Sequence, residues 1–359
     1  MLYREIFRNF KIYFLLAMIF MSLSGYSRYF FSALYSLDPL AYSTVSVADI
    51  LKFAFMMIFL GSFGLALLSS MFDVLILKKL LINTSPKIAL SIGIPAQALM
   101  IILIVHILDF VYYYTLPWIY NGPVSPNELT ENMFLIVHLI VAVSISKVFI
   151  EIDRKLGPGN LWKMLSGKFI KPREEERIFM FIDLKSSTSF AEKIGHLEYS
   201  RFLQNCYQDF SIVDRYRADI YQYVGDEVVV SWNPKKGTDN DNFLKAFFAF
   251  TDLLKKKTDY YQKEYGITPY FKAGANIGPV IITEVGDIKR EITYHGDTLN
   301  TAARIQEKCN ELNAQLLISE PLFKLIKNKA AYKIDDVGTI HLKGKGKDVR
   351  LYRVAQLNS

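Results

Sequence analysis

Residues 219–232 read DIYQYVGDEVVVSW, two runs rich in Tyr, Val and Ile on either side of Gly225-Asp226. The pattern predicts two short strands joined by a tight turn, where Gly and Asp supply the backbone conformations a hairpin demands. Asp226 and Glu227 then stand at the tip of an otherwise apolar hairpin. The ordinary meaning of an acidic pair there is a solvated turn. The segments on either side offer another.

Upstream lies IFMFIDLKSSTSFAEKIG, residues 178–195. Its apolar start predicts a short buried strand with Asp183 at the end, followed by a helix that Ser186, Ser187 and Thr188 enter as hydroxyl caps. An Asp at a strand end commonly does no more than cap the helix that follows. A helix over about 196–215 then leads into the hairpin. If the first and third strands lie side by side, Asp183 and Asp226 converge, and two such carboxylates repel unless a cation lies between them. Hard oxygen ligands of this kind suit Mg²⁺ or Mn²⁺, above all beside a triphosphate.

Downstream, a helix over 240–264 precedes the strand YFKAGANIGPVIIT, residues 270–283. In EITYHGDTLNTAARIQEKC, residues 291–309, a Gly-Asp turn opens a helix on which Asn300 and Arg304, four apart, share a face. An amide and a guanidinium placed this way suit a ribose and a phosphate, although polar pairs at this spacing are also common on solvated faces. Last comes IHLKGKGKDVRLYRV, residues 340–354. Here Lys343, Lys345 and Lys347 form either a solvated hairpin tip or a loop whose glycines let a lysine approach a phosphate.

The chain has 359 residues, 51% of them hydrophobic, and a net charge of +7. Its mean hydropathy is +0.18, and the apolar residues crowd into the first half, which implies a membrane region ahead of one globular domain. Stretches at about 11–34, 52–77, 88–113 and 132–151 are long enough to span a bilayer. Within them, Gly61 and Gly64 suit close helix contact and Pro95 predicts a kink. Arg4, Arg8, Lys11, Lys78, Lys79, Lys87, Arg154, Lys155, Lys163 and Lys168 flank one side, which predicts both termini in the cytoplasm. The excess positive charge is therefore membrane-flanking, and nucleic acid is not an expected partner. His106, Asp109 and His138 lie in or near spans and read either as a sensing site or as interhelical hydrogen bonding. Cys206 and Cys309 lack metal-ligand spacing, as isolated thiols in a reducing compartment do.

Four stretches in order, FIDLKSST, YQYVGDEVV, YHGDTLNTAAR and LKGKG, make residues from about 175 to 357 resemble the catalytic domain of class III nucleotidyl cyclases, the adenylyl and guanylyl cyclases. The resemblance implies a ferredoxin-like α/β sandwich that works as a head-to-tail homodimer with composite active sites. It implies that Asp183 and Asp226 hold two Mg²⁺ or Mn²⁺ ions, that Asn300 orients the ribose, and that Arg304 stabilises the α-phosphate in the transition state. Lys343 matches the lysine on the terminal phosphates, and Lys272 lies where the family has a phosphate-binding Arg or Lys. By the same match Glu227 has no metal role and is expected as a solvated turn residue.

Base choice rests on Gln222 and Thr293. Thr293 matches an adenylyl-type bacterial subclass, whereas Gln222 matches neither the adenylyl nor the guanylyl pattern, and its amide can present a donor or an acceptor. The expected architecture is an N-terminal α-helical transmembrane bundle of four spans over 1–151, a coupling linker over 152–174, and the cyclase domain over 175–359. The expected function is a multi-pass adenylyl cyclase of the cell membrane, its catalytic domain cytoplasmic, that converts ATP to cyclic AMP and pyrophosphate. GTP as substrate and a catalytically silent receptor module are the alternatives. A diguanylate cyclase of the GGDEF type is disfavoured because YVGDE lacks the second glycine and the Phe, and a transporter because the four spans show no repeat.

Overall fold

In the computed structural model, residues 2–35, 47–81, 84–115, 126–157, 160–343 and 348–357 are described, with backbone alone at 25–35, 47–51, 53, 54, 57, 108–115 and 126–134. Two units emerge, Met1–Leu156 and Gly157–Ser359.

The second unit is organised by a mixed sheet. Its strands are β1 (Arg173–Leu184), β2 (Asp219–Val224), β3 (Glu227–Trp232), β4 (Phe271–Val285), β5 (Glu291–His295), β6 (Leu316–Ser319), β7 (Tyr332–Ile340) and β8 (Val349–Gln356). They run in the order β2-β3-β1-β4-β6-β8-β7, with β5 paired to β4. Only the β4–β6 pair is parallel among the described residues. Strand β1 is covered on both sides, so alternate residues enter different cores. Ile178, Met180 and Ile182 pack with Phe202, Phe210, Phe247 and Phe250. Phe179 packs on the opposite face with Val229, Val280 and Ala302.

The helices divide accordingly. Helices at His196–Phe210, Asn242–Lys256 and Thr258–Tyr265 serve the first core, and the helix at Asp297–Glu311 serves the second. The single helix expected over 240–264 is broken at Lys257, where Lys257 and Tyr261 both reach Asp209, at 2.5 and 2.8 Å. Part of the expected linker packs with this unit: Leu161 and Phe169 are buried, and Glu284 N–H donates to the Phe169 carbonyl at 2.9 Å. Cys206 and Cys309 are buried, and burial pushes each thiol up to about 12.

The first unit is helical. Its long helices are α1 (Leu2–Tyr35), α2 (Val47–Phe72), α3 (Pro86–Thr115) and α4 (Pro126–Leu156). Four segments are long and apolar enough to cross a membrane: Leu2–Ser24, Ile58–Leu80, Pro86–Ile107 and Leu135–Leu156. Leu99, Leu103 and Ile107 stand exposed on α3, an exterior suited to lipid rather than water. Helix α3 runs through Pro95. Of the glycine pair, Gly61 meets Met21 of α1 closely, whereas nothing approaches Gly64. Helix α2 passes into a π-helical turn at Asp73–Leu77, which no sequence period announces.

One glycine is indispensable to the placement of the Asp297–Glu311 helix. A Cβ at Gly274 of β4 would lie 2.2 Å from the backbone nitrogen of Gln306. Gly274→Ala is expected to destabilise the second unit by about 3 kcal/mol, since backbone cannot yield as a flexible side chain does. Chemical denaturation of purified protein, followed by near-UV circular dichroism, checks this.

Candidate active site

The β2–β3 turn is Gly225-Asp226, and Gly225 adopts φ +61°, which its lack of a Cβ permits. Tyr207 holds the turn from the helix side, donating its hydroxyl to the Gly225 carbonyl at 2.6 Å. Antiparallel pairing of β1 with β3 then sets Asp183 opposite Glu227, one residue from Asp226. Strands one and three do lie side by side, as the convergence of the two carboxylates requires. Burial and then the neighbouring Asp226 charge raise the Asp183 carboxyl above its ordinary range.

Two features of this corner depart from expectation. Glu227 is not a solvated turn residue but the first residue of β3, half-buried. Burial and the charges of Asp183, Asp226 and Glu307 push its carboxyl up to about 7. Nor does a hydroxyl cap the helix after β1, which spans Ser187–Ile194. Ser186 takes the left-handed conformation at φ 61° and makes no side-chain cap bond.

Lys272 is buried on β4, directly across from Asp183. Its Nζ donates to Asn310 Oδ1 at 2.7 Å and lies 3.8 Å from Asp183 Oδ2. That same oxygen accepts from Gln306 Nε2 at 3.1 Å. Gln306 and Asn310 were not among the residues singled out from sequence. For Gln306 the helix face is the signal, since a polar side chain among Ala302, Ile305 and Cys309 needs a partner when buried, whereas Asn310 is exposed.

The other residues of that helix point elsewhere. Asn300 is exposed, and Arg304 is paired with Glu307, which is also exposed. At 100° per residue, positions 300, 304 and 307 fall on one stripe, and 302, 305, 306 and 309 on the opposite one. The helix therefore offers Gln306 to Asp183 and turns Asn300 and Arg304 away from it. Gln222 is exposed on β2, and Thr293 is half-buried on β5 opposite Thr283. Their chain neighbours Tyr221 and Tyr294 meet ring to ring at 5.0 Å and both pack on Phe179, so the two strands approach there. Arg177, buried, ties this region together through Ser231 at 2.7 Å and Asp219 at 3.0 Å. Lys343 is exposed after β7, while Lys345 and Lys347 lie outside the described residues.

The chemistry available is that of a carboxylate pair with one buried ammonium beside it. No cluster of three or more His, Cys, Asp or Glu side chains suited to a metal occurs among the described residues. An ion held here would draw its remaining ligands from water and substrate, which is how Mg²⁺ is commonly bound.

The Glu227 shift has a definite sign. Its folded value of about 7 lies above the ordinary 4.5, so the stability it contributes is full below pH 4.5 and lost as pH rises through 7. In chelator, Glu227→Gln is expected to stabilise the protein by about 1 kcal/mol at pH 8.5, the effect being reduced by solvent screening. At pH 4 the variant and the parent are expected to melt together. Thermal unfolding at the two pH values checks the difference.

The family described as Adenylate and Guanylate cyclase catalytic domain matches residues 170–356. Adenylate cyclase 2 of Rhizobium meliloti (strain 1021) is 34% identical over 192 residues, 53% of this chain and 53% of that protein. Guanylate cyclase soluble subunit beta-2 of Homo sapiens is 32% identical over 182 residues, 50% of this chain and 29% of its own length. The chain thus spans about half the length of the first of these relatives and less of the second. A solved bacterial light-regulated adenylyl cyclase shares the fold with a TM-score of 0.51 at 18% identity, over 66% of this chain and 67% of that one. With its sheet, its hairpin and the greater part of its second unit inside the matched segment, the chain belongs to the adenylate and guanylate cyclase catalytic-domain family.

Proposed function

We propose that the protein is a membrane-anchored adenylyl cyclase that converts ATP to 3′,5′-cyclic AMP and pyrophosphate in a homodimer. Residues 1–151 would anchor it, 152–174 would couple the anchor to the enzyme, and 175–359 would be the catalytic domain. The charge pattern of the helix ends favours a cytoplasmic catalytic domain and cytoplasmic termini. The observation that carries the reading is the meeting of Asp183 and Asp226, where the Asp226 charge raises the proton affinity of the Asp183 carboxylate.

That repulsion is also the test of fit for a metal: a divalent cation would relieve it, and the residues present suit one. Asp183 and Asp226 would hold two Mg²⁺ or Mn²⁺ ions, which when bound make the ribose 3′-hydroxyl more acidic and neutralise phosphate charge. Gln306 and Lys272 hold Asp183 from the sheet side, fixing the carboxylate before substrate arrives. Asn300 orients the ribose, and Arg304 exchanges Glu307 for the α-phosphate as negative charge grows there. Lys343 receives the terminal phosphates, and Lys272 supports them from its place beside Asp183. The 3′-oxygen bonds to the α-phosphorus, pyrophosphate leaves, and the hydroxyl proton passes to water.

Because Asn300 and Arg304 face away from the Asp183 of their own chain, a second copy must supply them, which is the argument for the homodimer. Thr293 and Gln222 would read the base, and Thr293 favours adenine. The similarity to a protein named as an adenylate cyclase supports the same choice.

Full-length protein in detergent with Mn²⁺ is expected to make cyclic AMP from ATP and little cyclic GMP from GTP. Asp183→Ala and Arg304→Ala should each lower the rate at least 1000-fold. Mixing the two inactive variants should restore roughly a quarter of the parental rate, since half the dimers then carry one intact site of two. Cyclic GMP as the main product would reverse the substrate assignment, and no recovery on mixing would remove the shared site. Gln306→Leu is expected to cost about 10–100-fold and to raise the Mn²⁺ concentration needed for half-maximal rate.

A further inference from the structure

The membrane unit has a polar interior. Asp73, in the π-helical turn after α2, accepts from Lys147 of α4 at 2.8 Å, from Gln97 of α3 at 2.9 Å, and from the Tyr13 hydroxyl of α1. All four side chains are buried or nearly so. Gly93 of α3 makes room for this arrangement, because a Cβ there would lie 2.8 Å from Lys147 Nζ. Beside it opens a recess of about 240 Å³, whose charged lining is Asp73, Lys78, Lys147, Glu151 and Arg154. Its apolar lining includes Leu77, Ala89, Leu90 and Ile150.

Charge and hydrogen bonding in the recess are unequal. The lining holds three cations and two carboxylates. Both carboxylates are engaged, Asp73 as above and Glu151 by Arg154 at 2.8 Å. The cations keep capacity. Among the described residues Lys78 gives one bond, to Glu5 at 2.6 Å, and Lys147 one, to Asp73, whereas an ammonium carries three N–H donors. Arg154 uses two of five, its second going to Glu5 at 3.4 Å. A recess whose lining cations keep unused N–H donors beyond their bonds to Asp73, Glu151 and Glu5 favours an anionic acceptor.

Position narrows the class. Lys78 stands near the end of the Ile58–Leu80 span, Ala89 near the start of the next, and Arg154 near the end of Leu135–Leu156. The recess therefore lies at the level of lipid headgroups, with charged and apolar side chains both in its lining.

We propose that this recess binds the phosphate headgroup of an anionic membrane phospholipid, with Lys78, Lys147 and Arg154 as the phosphate ligands and the α3 wall against the glycerol and first acyl carbons. Nothing in this depends on the nucleotide the catalytic unit uses.

The test is a thermal-shift titration of the full-length protein in nonionic detergent with short-chain phosphatidylglycerol, short-chain phosphatidylcholine and inorganic phosphate. Phosphatidylglycerol is expected to raise the unfolding midpoint saturably, as a ligand of the folded state does; phosphatidylcholine and inorganic phosphate at equal concentration should not. Arg154→Gln removes a ligand, and Ala89→Leu fills the recess without touching charge; each should weaken the apparent affinity at least tenfold. Helix content by far-UV circular dichroism shows whether each variant is folded, and either one suffices. An undiminished phosphatidylglycerol effect in the folded variants would overturn the site. So would the absence of a saturable effect in the parent protein, and an equal shift with inorganic phosphate would overturn the lipid.

Discussion

The pairing of β1 with β3 is the constraint on which the catalytic unit depends. It runs from Ile178 opposite Trp232 to Asp183 opposite Glu227 without a break in register. Because side chains alternate along a strand, a slip of one residue would exchange the two faces of β1. Met180 and Ile182 would leave the core made by Phe202 and Phe247, and Asp183 would lose Gln306. The same apolar contacts that fold the sheet therefore set the distance between the two carboxylates. The hydrophobic pattern supplies the energy, and the acids ride on its register.

The Asp297–Glu311 helix resolves a second demand. One element has to order a carboxylate of its own chain and also present an amide and a guanidinium outward. It does so with opposite stripes, and its closeness to β4 is possible only because residue 274 is Gly. The short approach seats the inner stripe against the strand, while the outer face carries the Arg304–Glu307 and Lys308–Glu311 pairs. An i, i+3 ion pair on an exposed helix face is worth a few tenths of a kcal/mol, so Arg304 is only weakly held.

Much of this was legible in the chain. Asp183 and Asp226 stood out because each interrupts an apolar run at a strand end, and the hairpin could be read from Gly225 and its flanks. Gln306 could be suspected only from its apolar helix face, and the exposed Asn310 not at all, since their contacts with Asp183 and Lys272 exist only once the sheet is in place. The membrane unit shows the same limit more sharply. His106 and His138 drew attention as polar residues in apolar segments, yet His106 bonds the Ile102 carbonyl of its own helix and His138 lies beside the Phe20 ring. Asp109 has no described side chain. Asp73 and Lys147, 74 residues apart, form the buried ion pair, and separation of that kind leaves no period to read. The π-helical turn that carries Asp73 is equally silent in sequence, because it depends on packing rather than on propensity.

The two cysteines, buried in the sheet's cores with their thiols pushed up to about 12, have a practical corollary. At neutral pH the thiolate fraction is on the order of 10⁻⁵, so alkylating reagents and mild oxidants have almost nothing to attack in the native protein. Both natural thiols are thus expected to stay quiet toward thiol-directed reagents. A cysteine introduced on the surface would become the chain's single address, letting one spin label or fluorophore report on either unit without any need to strip the natural thiols first.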